Sequence, residues 1–168
     1  AVSALTTPSE PIVTESVSQA TAGVLAAVAD NDVDRFVYCS SMARYGDGKV
    51  PFTEDMQPNP QDPYAVAKVA SEELTAVMAD AHDFEYVIAV PHNIYGPRQR
   101  YDDPYRNVAA IFINRILQER QPIIYGDGEQ KRCFSYVADV VRPLVALSTL
   151  LEAGRASYRR HPLGSEFR

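Results

Sequence analysis

Positive charge is scarce in this sequence: 16 Lys and Arg stand against 22 Asp and Glu, giving a formal charge of −6 and a pI near 5.0. A chain of that balance lacks the basic face that nucleic acid or an anionic membrane surface requires, so small molecules or proteins are the expected partners. Cysteine is limited to Cys39 and Cys133, far apart and each in apolar or aromatic surroundings. That excludes a disulfide framework and a C-x-x-C site, and suggests reduced, partly buried thiols. The three histidines, His82, His92 and His161, share no ligand spacing, and no metal site is expected. No apolar run reaches membrane-spanning length, and "AVSALTTPSE" has neither the positive flank nor the apolar stretch of a signal peptide. A cytoplasmic location is the expectation.

What is present suits a folded domain. The 168 residues are 46% hydrophobic, enough for a sizeable core. Thr14 is placed to cap a helix running to about Asn31, with Val17, Val24, Leu25 and Val28 at helical spacing. "RFVYCS" (35–40) and "EYVIAV" (85–90) are continuous apolar runs that read as strands buried on both faces, the mark of a parallel sheet. Between them, "GDGKVPFTEDMQPNPQDP" is crowded with turn residues and leads into a second helix from Tyr64 to about Asp80, whose charged residues fall largely on one face. A third helix over 107–120, a short strand over 121–126 and a fourth helix over 137–154 complete the reading. The alternation predicts an α/β fold with parallel β-α units and helices on both faces.

In such a sheet, chemistry gathers beyond the carboxyl ends of the strands. Ser40 and Ser41 follow the first strand, while Asn93, Tyr95, Arg98 and Arg100 follow the second. Arg132 follows "IIYG". These hydroxyls, amides and guanidiniums suit an anionic, hydroxyl-rich ligand. Tyr64 and Lys68 are four apart and share a helix face, so a nearby ammonium is expected to lower the phenol's pKa and let Tyr64 accept a proton. A Tyr-x-x-x-Lys spacing alone is ordinary helix surface. The ordered set of buried strand, "SSM", loop, Tyr64 and Lys68, buried strand and Asn93 makes it a candidate site.

"RFVYCSSMARYG", "DPYAVAKVASEE", "PHNIYGPRQ" and "IYGDGEQKRCFSYVADVV" together resemble the NAD-dependent epimerase/dehydratase family of extended short-chain dehydrogenases, most closely its UDP-glucose 4-epimerase-like branch, over about residues 17 to 147. The resemblance implies a Rossmann-like sheet, NAD as cofactor and a nucleotide-sugar substrate. It implies Tyr64 as catalytic base, Lys68 holding the nicotinamide ribose, and Ser41 sharing the substrate hydroxyl. Ser40 and Pro91 would lie beside the nicotinamide, and Asn93 and Arg132 would bind the diphosphate of the sugar nucleotide. Dehydratases of the group carry an acidic pair after the serine; Met42 and Ala43 stand here, which favours epimerisation. A homodimer is an assembly common among such relatives.

The departures set up the alternatives. The Gly-rich turn that holds the NAD pyrophosphate in this family is not found, because the "GDG" stretches at 46–48 and 126–128 lack the third glycine and read as plain turns. Arg44, Val90 and Ala138 are atypical of the family. Residues 1–150 thus read as the catalytic middle portion of such an enzyme, lacking its first β-α-β units, and 151–168 as a non-family tail, a tag or frame-shifted segment. One alternative is a non-catalytic fragment that self-associates through uncovered sheet edges. Another is an NAD(P)-dependent keto-sugar reductase, which would consume reduced cofactor.

Overall fold

A computed structural model describes residues 10–100, 108–124, 126–129, 131–149 and 160–163. In chain order the elements are α1 (Glu10–Asp30), β1 (Arg35–Cys39), a 3₁₀ turn (Met42–Tyr45), α2 (Pro63–His82), β2 (Glu85–Pro91), β3 (Ile94–Tyr95), α3 (Val108–Leu117), β4 (Ser135–Tyr136), α4 (Val137–Thr149) and β5 (Arg160–Leu163). β1, β2 and β5 form one parallel sheet with β2 in the centre, and β3 pairs with β4, also in parallel. The expected α/β class with parallel strands is therefore what the chain adopts.

β2 explains the layering. Val87 to Val90 are all buried, and consecutive side chains go to opposite faces of the sheet. Ile88 and Val90 pack with Tyr38 and Tyr45, while Phe84 joins Leu25 and Val28 of α1 and Ala79 of α2. On the other face Val87 and Ala89 meet Leu147 of α4. Full burial of Leu25 and Ile88 contributes about 1.5–3 kcal/mol for each side chain. The β1 and β2 strands are held in register from Arg35 opposite Glu85 to Cys39 opposite Ala89. Arg35 Nε donates to Glu85 Oε2 at 2.9 Å, so the first pair of the register is also an ion pair.

α2 begins where its sequence makes a helix start cheapest. Asp62, in extended backbone, caps it by accepting from Ala65 N–H at 2.7 Å, and Pro63 occupies the first turn, where no amide is needed. Asp83 ends it in left-handed backbone. Its inner face is made of small or hydroxylated residues, Ala65, Ala67, Ser71, Thr75 and Ala79, with one exception in Glu72.

Several expectations need correction. α1 starts at Glu10, ahead of Thr14, and Val24 lies half exposed because only Leu25 and Val28 of its apolar set reach the core. No strand forms over 121–124: Ile123 and Ile124 are exposed, and an apolar run without a partner strand has no ladder to join. Cys39 and Cys133 are free and exposed rather than partly buried. The third helix ends at Leu117, short of the 120 read from the sequence, while its expected start at 107 and the last part of the fourth helix, 150–154, lie outside the described residues.

Gly46 closes the 3₁₀ turn at φ +54°, and a Cβ there would sit 2.1 Å from the Asn59 carbonyl oxygen. Gly46→Ala should therefore lower the unfolding free energy by about 2 kcal/mol or more, read as a lower urea midpoint.

Candidate active site

The carboxyl ends of β1 and β2 lie side by side, and the Ser40 N–H donates to Ala89 O at 2.8 Å, extending the ladder one residue past β1. Ser41 then turns the chain. It is the N-cap of the 3₁₀ turn, its Oγ accepting from Ala43 N–H at 3.2 Å, and the same hydroxyl lies close enough to the Tyr64 phenol to favour its phenolate. Ser40, Ser41, Tyr64 and Lys68 thus come together as the sequence suggested.

The electrostatics differ from expectation. Tyr64 keeps 39% of its surface exposed, yet its phenol is held above the ordinary tyrosine value. Burial is the main cause; the Ser41 hydroxyl pulls it back down, and the Asp62 carboxylate pushes it further up. The nearby Lys68 ammonium does not bring it below that value. Its Nζ donates to the Cys39 carbonyl at 2.8 Å and lies over the rings of Tyr38 and Tyr64, at 5.1 and 5.8 Å from their centroids. The spacing of four does bring the two side chains together, but it sets the ammonium over the ring face and leaves the hydroxyl to Ser41. Burial also pushes Lys68 below the usual lysine range, against the opposing pull of Cys39 and Glu72.

A second group lies where β2 ends. Asn93 has left-handed backbone (φ +34°), its Nδ2 donates to Cys133 O at 2.9 Å, and its own carbonyl accepts from Ser135 N–H at 3.3 Å. These bonds bring the segment carrying Arg132 to the edge of β2. Arg132 is exposed and donates to the neighbouring Lys131 carbonyl at 2.9 Å. His92, which the sequence did not single out, is held below the ordinary histidine value, first by burial and then by Arg132. Pro91 closes β2 between the two groups. Beyond Asn93, Tyr95 and Tyr136 pack at 5.5 Å and line a mainly apolar cleft of about 370 Å³ with Ala109, Ala110 and Ile113. No hydrogen bond among the described residues joins the Tyr64 group to Arg132. Among the described residues no three His, Cys, Asp or Glu side chains converge as metal ligands, and no helix is long and apolar enough to cross a membrane.

Sequence reasoning also missed Arg44 and Glu72, both fully buried beneath the serines. A signal existed in the spacing, since Glu72 lies one turn beyond Lys68 on the same face. Toward a nicotinamide cofactor the donor set is a partial fit. The Lys68 ammonium and the hydroxyls of Ser41 and Tyr64, gathered at the carboxyl edge of β1, match a ribose and its neighbour, whereas Gly126 and Gly128 are turn residues at φ +78° and +82° and form no phosphate cradle.

Residues 6–159 match the NAD dependent epimerase/dehydratase family. Among curated relatives, the UDP-glucose 4-epimerase of Mycolicibacterium smegmatis is 40% identical over 97 residues, 56% of this chain and 30% of the relative. The dTDP-D-glucose 4,6-dehydratase of Mus musculus is 33% identical over 129 residues, 76% of this chain and 35% of that one. The crystal structure of UDP-glucuronic acid 4-epimerase from Bacillus cereus in complex with UDP-glucuronic acid and NAD superposes with a TM-score of 0.75 at 29% identity, covering 88% of this chain and 45% of that one. The chain spans about two fifths of the length of the first curated relatives it matches.

The tuning of Tyr64 can be read directly. Ser41→Ala should move the Tyr64 titration to higher pH, because the hydroxyl that favours the phenolate is gone, while Lys68→Met should move it the same way by less, since the ammonium lies over the ring face. Phenolate difference absorbance, with Tyr64→Phe subtracted, separates the two.

Proposed function

Because this chain belongs to the NAD dependent epimerase/dehydratase family, we propose that it carries the proton-transfer part of a nucleotide-sugar 4-epimerase site, with UDP-glucose-like sugars as substrate and Tyr64 as the base. The observation that carries this reading is the gathering of Ser41, Tyr64 and Lys68 at the carboxyl edge of the parallel sheet, with Ser41 capping the turn after β1 and the Lys68 ammonium on the Cys39 carbonyl and over the Tyr64 ring. NAD, when bound, takes up a hydride from the sugar carbon and returns it.

The chain's own residues do the rest. Tyr64 Oη accepts the proton of the sugar hydroxyl as the carbon loses its hydride, and gives it back when the hydride returns to the other face, so the cycle has no net redox change. Ser41 shares that hydroxyl and keeps it aligned with Tyr64. Lys68 would hold the nicotinamide ribose, Ser40 and Pro91 would flank the nicotinamide, and Asn93 and Arg132 would take the diphosphate, where a guanidinium can make two parallel hydrogen bonds. Met42 and Ala43 carry no proton-moving group beside Ser41, which supports epimerisation over dehydration.

A second reading, a non-catalytic piece that self-associates, is supported by one observation. Ile113, Ile116 and Leu117 of α3 are exposed at 54%, 60% and 72%, an apolar stripe that another copy could cover.

Titration calorimetry of this chain with NAD and, separately, with UDP-glucose distinguishes the two. The epimerase reading expects saturable heats for both, retained in Tyr64→Phe, because only one hydroxyl is removed. In a whole enzyme carrying these residues, the same substitution should cut turnover by about 10²–10⁴. Absence of both heats, together with concentration-dependent assembly in ultracentrifugation, would leave the second reading standing.

A further inference from the structure

The proposed reaction leaves one feature unused: a charged pair buried under the site. Arg44 Nε lies 2.9 Å from Glu72 Oε1, and both side chains are wholly shielded from solvent. The same carboxylate oxygen accepts a hydrogen bond from the Ser40 hydroxyl. Arg44 belongs to the 3₁₀ turn that Ser41 caps. Its Nη1 donates to Tyr45 Oη at 3.3 Å, its guanidinium lies 4.9 Å from the Tyr45 ring centroid, and its carbonyl accepts from Asn59 N–H at 2.7 Å, in the loop that leads to Asp62. Glu72 lies on α2, one turn beyond Lys68 and two beyond Tyr64, on the face turned toward β1.

We propose that Arg44 and Glu72 are positioning residues: their buried ion pair, with the Ser40 hydroxyl on the same carboxylate, fixes the Ser40–Ser41 tip of β1 against α2 and so holds Ser41 beside Tyr64. An apolar pair of equal volume would hold turn and helix together but would offer Ser40 no acceptor. The serine tip would then be located by the backbone alone, and a hydroxyl displaced by even an ångström no longer bonds well. The meaning given to Tyr64 rests on the epimerase reading. The geometry does not.

The test uses this chain with its tyrosines labelled at Cζ with carbon-13, following the Tyr64 resonance over roughly pH 8 to 12 and assigning it with Tyr64→Phe. The charged and titratable groups around Tyr64 are Asp62 at the N-cap of α2, Lys68 on α2 and Tyr38 on β1, and the variants leave all three in place. Arg44→Met/Glu72→Leu removes both charges at once, which spares the fold an unpaired buried ion. Its Tyr64 should titrate higher by about half a unit to one unit, the size of one lost hydrogen bond. Ser40→Ala, which deletes only the hydroxyl, should move it the same way by less, and decides the matter alone if the double variant does not fold. A Tyr64 titration within about 0.2 unit of the parent in either folded variant overturns the proposal. The readout is a proton on Tyr64 and needs neither cofactor nor substrate. A chain that binds neither NAD nor UDP-glucose yet shows the shift would sink the epimerase reading and keep this one.

Discussion

The parallel ladder between β1 and β2 is the constraint on which the rest depends. Side chains alternate along each strand, so a slip of β1 by one residue against β2 would send Tyr38 to the α4 face and Val37 to the α2 face while Val87 and Ile88 stay in place, mixing two differently shaped cores. The register is pinned at its start by the Arg35–Glu85 ion pair and at its end by the Ser40 amide on the Ala89 carbonyl. With the register fixed, the two strands must finish together. Ser40 and Ser41 then emerge beside Pro91, His92 and Asn93, and α2, packed across the ladder, presents Tyr64 to the first group.

Within that frame the phenol of Tyr64 is subject to opposed influences. Asp62 gives α2 its start by satisfying the Ala65 amide, and the same carboxylate disfavours a phenolate on Tyr64. Burial acts in the same direction. The Ser41 hydroxyl opposes both, while Lys68 spends a hydrogen bond on the Cys39 carbonyl. In the chain by itself Tyr64 is therefore a protonated phenol at neutral pH, aligned to exchange a proton but not charged in advance. Further positive charge close to the hydroxyl is what would bring its titration toward neutrality.

The parts legible in the sequence are those that local pattern decides. The two continuous apolar runs gave β1 and β2, since strands covered on both faces have no polar alternation to keep. The turn-rich loop ending at Asp62 and Pro63 placed the start of α2 at Tyr64, one residue inside its first residue. The strand read over 121–126 does not form over 121–124, because an apolar segment says nothing about whether a partner strand is at hand, and Ile123 and Ile124 remain exposed. Tyr64 and Lys68 were found by their spacing, but their coupling was misjudged. Spacing places two side chains on one face without saying which atoms meet, and the group that reaches the phenol comes from β1, distant in sequence. In "SEELT" one glutamate faces solvent and the other is fully buried, a choice that rests on where β1 lies relative to α2 and not on the residues themselves.

That buried glutamate carries the last step. Taking a carboxylate and a guanidinium out of water costs several kcal/mol for each ion, and the attraction between them returns this only when geometry and further hydrogen bonds are good. Arg44 and Glu72 have such partners in Tyr45 and Ser40, yet an apolar pair at the same positions would be expected to stabilise the domain equally well. Stability alone does not account for the pair. Directionality does: apolar contacts tolerate sliding, whereas a carboxylate oxygen that takes the Ser40 hydroxyl and lies 2.9 Å from the Arg44 guanidinium constrains turn, strand tip and helix together. A site in which a serine must meet a tyrosine on another element has a use for that rigidity, and the pair lies directly beneath the two residues that need it.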